Sequence, residues 1–195
     1  MEWYFNIASE LARSLLAVDV YTGDSHWPNL YCGIFALFLL FLYVWNRAVP
    51  WKKKLPRLAL VVFFWLSFSN NMLDFIWHGL HFPDSLPGRQ SFLYSFLLLV
   101  LCFETFLHLK ENRWYHVPVA LVLDGAFLYA AYRWSDSELI GSDSFFTTAV
   151  FIVVYAVLLL VWYGGTAKVR DYVFLITSIV VITELTINFD MTGLD

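Results

Sequence analysis

Charge is what this sequence has least of. Only 14% of its 195 residues are Asp, Glu, Lys or Arg, against about 25% in ordinary soluble domains. The 12 Lys and Arg are outnumbered by 16 Asp and Glu. Composition therefore supplies no basic patch, which excludes a nucleic-acid-binding module. Cysteine is nearly missing. Cys32 and Cys102 are the two present, and no CxxC or CxxH spacing points to a structural metal or a redox pair. Both sit in apolar stretches and read as ordinary buried thiols. There are nine glycines, with no GxxxG packing motif and no phosphate-cradling glycine loop. What is abundant is apolar surface: 60% of the chain, with 19 Phe, 11 Tyr and 9 Trp. That excludes intrinsic disorder. The length allows one domain at roughly 100–200 residues per domain.

A helix crossing about 30 Å of hydrocarbon needs about 20 mostly apolar residues. Six stretches approach this, at residues 30–45, 58–77, 91–109, 117–132, 145–163 and 172–187. No period-two barrel pattern is present, so the expected fold is all-α, a polytopic bundle of about six transmembrane helices over residues 29–195. Short loops make sequence neighbours antiparallel neighbours in space. Nine of the 12 basic residues fall in alternate loops: Arg47, Lys52, Lys53, Lys54, Arg57, Lys110, Arg113, Lys168 and Arg170. The positive-inside rule then places those loops in the cytoplasm and both termini outside. Residues 1–28 form a separate unit. Residues 2–19 read as an amphipathic helix with Trp3, Ile7, Leu11, Leu15 and Val18 near one face, lying along the outer membrane surface. Residues 21–28 read as a turn-rich linker. No signal peptide precedes this translocated segment, so an upstream membrane segment is expected and the chain reads as a piece of a longer protein.

Ionisable residues inside transmembrane helices cost roughly 2.5–3.5 kcal/mol on insertion scales. Asp74, Glu104, Asp124 and Glu184 all fall within the expected spans. They point either to an outward-opening polar cavity or to hydrogen bonds between helices. The densest polar run is NNMLDFIWHGLHFPDSLPGR, from Asn70 to Arg89. If one helix continues to His81, then Asn70, Asp74, Trp77, His78 and His81 share a face. Gly79 weakens that helix, and Pro83 and Pro87 end it. Arg89 then stands at the outer start of the next helix, on a side poor in cations. Its guanidinium beside two histidines suits a lipid phosphate or pyrophosphate. The blander role is an anchor paired with Asp84 or a headgroup. His78 and His81 form an HxxH spacing that could ligate a metal with Asp74, but the signal is weak and no metal is expected. Trp77, with Trp27 and Trp134, reads most simply as an interfacial belt, matched by Trp51, Trp114 and Trp162 on the other side.

The stretches WPNLYCGIFAL and LSFSNNMLDFIWHGLHFPDSLPGRQSFLYSFLLL resemble the YfhO family of bacterial membrane proteins, and TELTINFDMTGLD resembles a later family segment. The resemblance runs from about Trp27 to the end. It implies membership of the large membrane-embedded glycosyltransferases called GT-C, in the bacterial cell membrane. The implied donor is a polyprenyl-phosphate-linked hexose. The implied acceptor is a cell-envelope polymer such as lipoteichoic acid, on the outer face. Carried onto this chain, Arg89 with His78 would hold the lipid phosphate, and Asp74 would orient His78 or touch a sugar hydroxyl. Trp77 and His81 complete the expected binding group. Gly88 and Gln90 stand where family members usually carry aromatics, which would loosen the loop that aims Arg89, and His81 stands where an amide is more usual. The acid loop expected to carry catalysis has no counterpart here, so no catalytic residue is assigned and the chain is expected to bind rather than catalyse alone. Two other classes remain open. A small transporter would use Asp124 and Glu184 as proton or cation sites. A non-catalytic scaffold subunit would satisfy all four acids from neighbouring helices.

Overall fold

The computed structural model describes residues 6–18, 28–82, 88–135 and 140–192. Among these, every regular element is helical: α1 (Ile7–Ala12), α2 (Ile34–Trp45), α3 (Trp51–Ser69), α4 (Asn71–Trp77), α5 (Ser91–Leu107), α6 (His116–Trp134), α7 (Ser142–Gly164) and α8 (Ala167–Thr192). A 3-10 turn spans Leu109–Glu111. The fold is all-α, as the apolar runs predict. Only α7 and α8, at 23 and 26 residues, are both long and apolar enough to cross a membrane. Helices α2 and α5 are apolar but shorter, and α3 and α6, at 19 residues each, carry more polar side chains. A count of six spans therefore goes beyond what length and apolarity establish.

The expected second span, 58–77, is two helices. Asn70 breaks it with an extended backbone (φ −108°, ψ 119°). Its side-chain oxygen accepts from the amides of Met72 and Leu73 at 3.1 and 3.3 Å, capping α4. Asparagine is among the best N-caps because it satisfies amides that a new helix leaves orphaned. The basic residues placed in a loop before this span lie on helix instead. With Pro50 as its N-cap, α3 begins at Trp51, so Lys52, Lys53, Lys54 and Arg57 sit in its first two turns.

Hydrogen bonds fix the antiparallel arrangement. At one end, Asn46 after α2 donates to the His108 carbonyl after α5 at 3.0 Å. The Tyr163 hydroxyl near the end of α7 donates to the Leu109 carbonyl at 2.7 Å. The starts of α3, α6 and α8 belong to the same end, which therefore collects the basic residues. Residues 6–18 lie across the other end. Asn6 donates to the Trp134 carbonyl of α6 at 2.8 Å. Ser144 of α7 donates to the Ala17 carbonyl at 2.6 Å, and the Ala17 amide donates to Asn188 of α8 at 2.9 Å. We call these the basic end and the capped end.

This packing corrects the expected surface helix over 2–19. Within its described part, α1 has six residues, and Ser9, Glu10 and Ala12 are fully buried. It packs against α3 and α6. Leu15 and Leu16 follow in turns and are buried as well. Folded into the bundle end, this segment removes apolar surface on several sides at once, whereas a helix on a membrane surface buries one face. The expected linker, apart from Pro28, lies outside the described residues, as do Trp3, Trp27, Pro83, Asp84 and Pro87.

Helix α2 is central and packs against α5, α6 and α7. Its residues are apolar on nearly every side, the pattern of a helix with no solvent face. At 12 residues and 1.5 Å per residue it is only about 18 Å long, so both of its ends stop inside the bundle. Neighbouring helices satisfy those ends with charge. Glu184 of α8, fully buried, accepts from the Ile34 amide at 2.5 Å and from the hydroxyls of Tyr31 and Tyr155 at 2.5 Å each. Gly33, the N-cap, adopts φ +96°, a left-handed angle that favours glycine, and its own side supplies no cap. At the other end the Lys54 ammonium, 2% exposed, donates to the carbonyls of Val44 and Asn46 at 2.7 and 2.8 Å. A carboxylate at the N-terminus and an ammonium at the C-terminus both oppose the helix dipole favourably. A second of the four acids, Glu104 of α5, pairs with Arg57 of α3, which also donates to Tyr43 at 3.0 Å.

The perimeter is apolar. Phe92, Phe96, Leu99, Phe103 and Leu107 recur at helical spacing on α5 and are 52–68% exposed. Phe146, Val150, Val153 and Val157 do the same on α7. An apolar belt this continuous would be unfavourable in water and marks a surface made for hydrocarbon. Cys102 is buried, and its thiol donates to the Ala36 carbonyl at 2.9 Å, whereas Cys32 is half-buried.

Replacing Glu184 by Ala leaves three buried donors without an acceptor. An orphaned buried donor costs about 1–3 kcal/mol. The expected result is a loss of about 2–5 kcal/mol of unfolding free energy, measured by thermal or denaturant unfolding in detergent. Glu184→Gln, which keeps one acceptor oxygen, should lose clearly less.

Candidate functional site

The polar run after Asn70 is brought to the capped end by the α3–α4 break. Helix α4 ends at Trp77, with His78 as its C-cap, Gly79 at φ +68° and Leu80 at φ +64°. The helix therefore does not continue to His81. Asp74, Trp77 and His78 remain on α4 and its cap, while His81 is exposed beyond it, with its Nδ1 2.5 Å from the Phe82 carbonyl oxygen.

Asp74 is the centre of the site. It is fully buried. Its Oδ1 lies 3.4 Å from His78 Nδ1 and accepts from the Gly88 amide at 3.4 Å and from Gln90 Nε2 at 3.3 Å. All three contacts are long for hydrogen bonds to a carboxylate. Its Oδ2 has no partner. The His78 ring also meets the Asp74 carbonyl through Nδ1 at 3.0 Å, leaving Nε2 buried and unpartnered. Gly88 is not the loose joint that a glycine there predicts. It holds φ +74°, and an added Cβ would come within 2.9 Å of the Pro28 side chain. The backbone before Arg89 is thus pinned from two sides, by Pro28 and by Asp74.

More polar atoms around this position lack partners than a native interior usually leaves. Among the described residues, Asn70 Nδ2, Trp77 Nε1 and His78 Nε2 are donors without a partner, and Asp74 Oδ2 and Gln90 Oε1 are acceptors without one. Glu10 of α1 adds two carboxylate oxygens, neither within hydrogen-bonding geometry of any side chain. Burial pushes its carboxyl up from the ordinary 4.5 to about 8, and the nearby Ser69 hydroxyl offsets part of that rise. Glu10 and Gln90 escaped the sequence reading. For Glu10 the signal was present, since it lies three residues after Ile7 on the apolar face of its own helix. Gln90 carried none.

The other expected site residues are dispersed. Arg89 is exposed and makes no hydrogen bond or ion pair among the described residues. Trp77 faces inward rather than sitting in an interfacial belt, its ring stacked on Phe64 with centroids 5.0 Å apart. Glu104 and Glu184 belong to the ion pair and the helix cap described above. Asp124, on the buried face of α6, has both oxygens unpartnered among the described residues. Among the described residues no group of three or more His, Cys, Asp or Glu could hold a metal ion.

An all-helical bundle with an apolar perimeter, basic residues gathered at one end and unpaired polar groups buried at the other defines a membrane protein with a polar site near one face. The chain belongs to the bacterial membrane protein YfhO family, whose family model matches residues 2–194. The match takes in the first 26 residues as well as the segments from Trp27 onward that carry the resemblance. No curated protein and no solved structure matches the chain.

Glu10 makes stability depend on pH. Its carboxyl holds a proton more tightly folded than unfolded, so the folded state binds more protons between pH 4.5 and about 8. Its contribution to stability is full below pH 4.5 and is lost as pH rises through about 8. Glu10→Gln should flatten this part of the profile and raise the unfolding midpoint at pH 8 relative to the parent, read by thermal unfolding across the range.

Proposed function

We propose that this chain forms one wall of the donor site in a membrane-embedded glycosyltransferase. The reaction moves a hexose from a polyprenyl-phosphate carrier to a cell-envelope polymer of the lipoteichoic-acid kind. Family membership supports the membrane setting. The observation that carries the reading is the set of buried, unpartnered donors and acceptors around Asp74, His78 and Gln90. A sugar presents hydroxyls that donate and accept at once, and a mixed set of this kind matches it better than a set of one sign would. Arg89, exposed beside this group, supplies a two-pronged contact for the carrier phosphate. Negative charge that grows on that phosphate as the sugar departs is stabilised by fixed donors, the Arg89 guanidinium and an N–H of His78. His81 stands within the same loop as a further polar contact.

Two features fit a lipid carrier. An apolar groove of about 330 Å³ lies over α2 between Leu99 and Phe103 of α5 and Val181 and Leu185 of α8. Its rim residues Leu99, Phe103 and Leu185 are exposed, so an isoprenoid tail could enter sideways from the bilayer. In the proposed topology α2, α3 with α4, α5, α6, α7 and α8 make six passes. The basic end then faces the cytoplasm, and the capped end with both termini faces outward.

The transporter reading is less well supported, because both oxygens of Glu184 are engaged in capping α2. A pure scaffold role fits Glu104 and Glu184, which have partners, but not Asp74 and Asp124, which have unpartnered oxygens.

The test is binding of a short-chain polyprenyl-phosphate hexose to the purified full chain in nanodiscs. Arg89→Ala should weaken binding about tenfold or more, in line with loss of a charge-assisted phosphate contact worth about 1.5–3 kcal/mol. Asp74→Asn should reduce the preference for the sugar-bearing carrier over the bare polyprenyl phosphate. Unchanged binding in both variants refutes the assignment.

A further inference from the structure

A second pocket lies at the basic end, away from the Asp74 group. It encloses about 550 Å³ between the α5–α6 connection and the facing ends of α7 and α8, within the roughly 300–1,000 Å³ typical of ligand sites. Lys110 and Arg113 come from the connection and Arg170 from the first turn of α8. Trp114, Tyr115 and Trp162 line it with them. No carboxylate lines it. Glu111 and Asp171 are next to lining residues in sequence, yet neither forms a salt bridge among the described residues. Three cations thus converge on a space without an anion.

The aromatic side chains hold two of these cations in place. The Arg113 guanidinium lies 5.7 Å from the Tyr115 ring centre and donates to its hydroxyl at 3.0 Å. The Arg170 guanidinium lies 4.9 Å from the Trp162 ring centre, and its Nε donates to the Trp162 carbonyl at 3.1 Å. Stacking on a ring uses one face of a guanidinium, and the edge donors not spent on these two bonds remain for an oxyanion. Exposed Trp114 and Tyr115 with half-buried Trp162 and Tyr163 form the kind of ring found at headgroup depth. Apolar α8 residues continue from the pocket, with Tyr172, Phe174 and Leu175 all exposed.

We infer that this pocket binds the headgroup of an anionic phospholipid, its phosphate held by Arg113, Arg170 and Lys110 and its acyl chains lying along the exposed face of α8. The chemistry that recognises phosphate here could also serve a free phosphate ion. The aromatic ring and the apolar surface below it favour the lipid. The site is independent of the donor site proposed above, since it lies at the opposite end of the bundle and shares no residue with it.

The test uses the purified full chain in zwitterionic detergent, titrated with phosphatidylglycerol, phosphatidylcholine and inorganic phosphate. Fluorescence of Trp114 and Trp162 and native mass spectrometry give the readouts. Each Lys or Arg near a charged membrane surface contributes about 1 kcal/mol, which converts to about fivefold in affinity. Phosphatidylglycerol should bind, and Arg113→Gln with Arg170→Gln should weaken it by about 25-fold. Lys52→Gln with Lys53→Gln, which removes two cations of the same end outside the pocket, should change it less than threefold by comparison. Arg113→Lys with Arg170→Lys should recover part of the affinity, which separates a bound headgroup from a folding defect. Equal binding of phosphatidylcholine, or equal losses in the two glutamine pairs, overturns the site. Tight binding of inorganic phosphate that displaces the lipid overturns the lipid assignment.

Discussion

The bundle depends on a helix too short for its position. Helix α2 packs against α5, α6 and α7, but at about 18 Å it stops with both ends inside the bundle. Backbone groups that stop at such a depth must find partners in the protein. Glu184 and Lys54 are those partners, each reaching from a helix that lies beside α2 rather than continuing it. Tyr31 and Tyr155 then complete the shell around the carboxylate. An acid within an apolar run and a lysine from a basic one thereby become the condition for burying the most apolar of the described helices.

The two ends of the bundle treat polar groups differently. At the basic end they are satisfied: Asn46, Asn112, His108 and Lys54 close the termini of α2 and α5 with short hydrogen bonds. At the capped end they are left over. Asp74 has only long contacts and one free oxygen, and Glu10 has none that meet hydrogen-bond geometry. Buried unpaired groups are destabilising, so their concentration at one end distinguishes that end from the other. The same contrast explains why the pocket of three cations at the basic end stands out. There three cations converge on one space, Lys110, Arg113 and Arg170, with no carboxylate lining it.

Much of the architecture was legible in the chain. The apolar runs located all the long helices, and the alternation of basic residues put nine cations at one end. The Asn70-to-Arg89 run marked the region of the candidate site, and the family resemblance was carried by the same residues. Other features were not legible. The break at Asn70 was hidden because a capping asparagine and a helix-interior asparagine look alike until the backbone turns. The burial of α1 was hidden because its apolar face suits a membrane surface as well as a bundle end. Glu184 reads as a possible pathway residue and Glu104 as facing either a cavity or another helix, since sequence spacing says nothing about which helix supplies a donor.

What the sequence by itself determined is the set of properties that depend on neighbours along the chain: helix rather than strand, membrane rather than water, one end basic, and a polar run placed near a helix terminus. Periodicity, composition and capping chemistry act over a few residues and can be read there. Only the tertiary structure decided which acid caps a helix, which pairs with arginine, and which is left buried without a partner. Those outcomes depend on contacts between residues up to 153 positions apart, as between Tyr31 and Glu184. In a low dielectric a charge takes its role from whatever group packing places beside it.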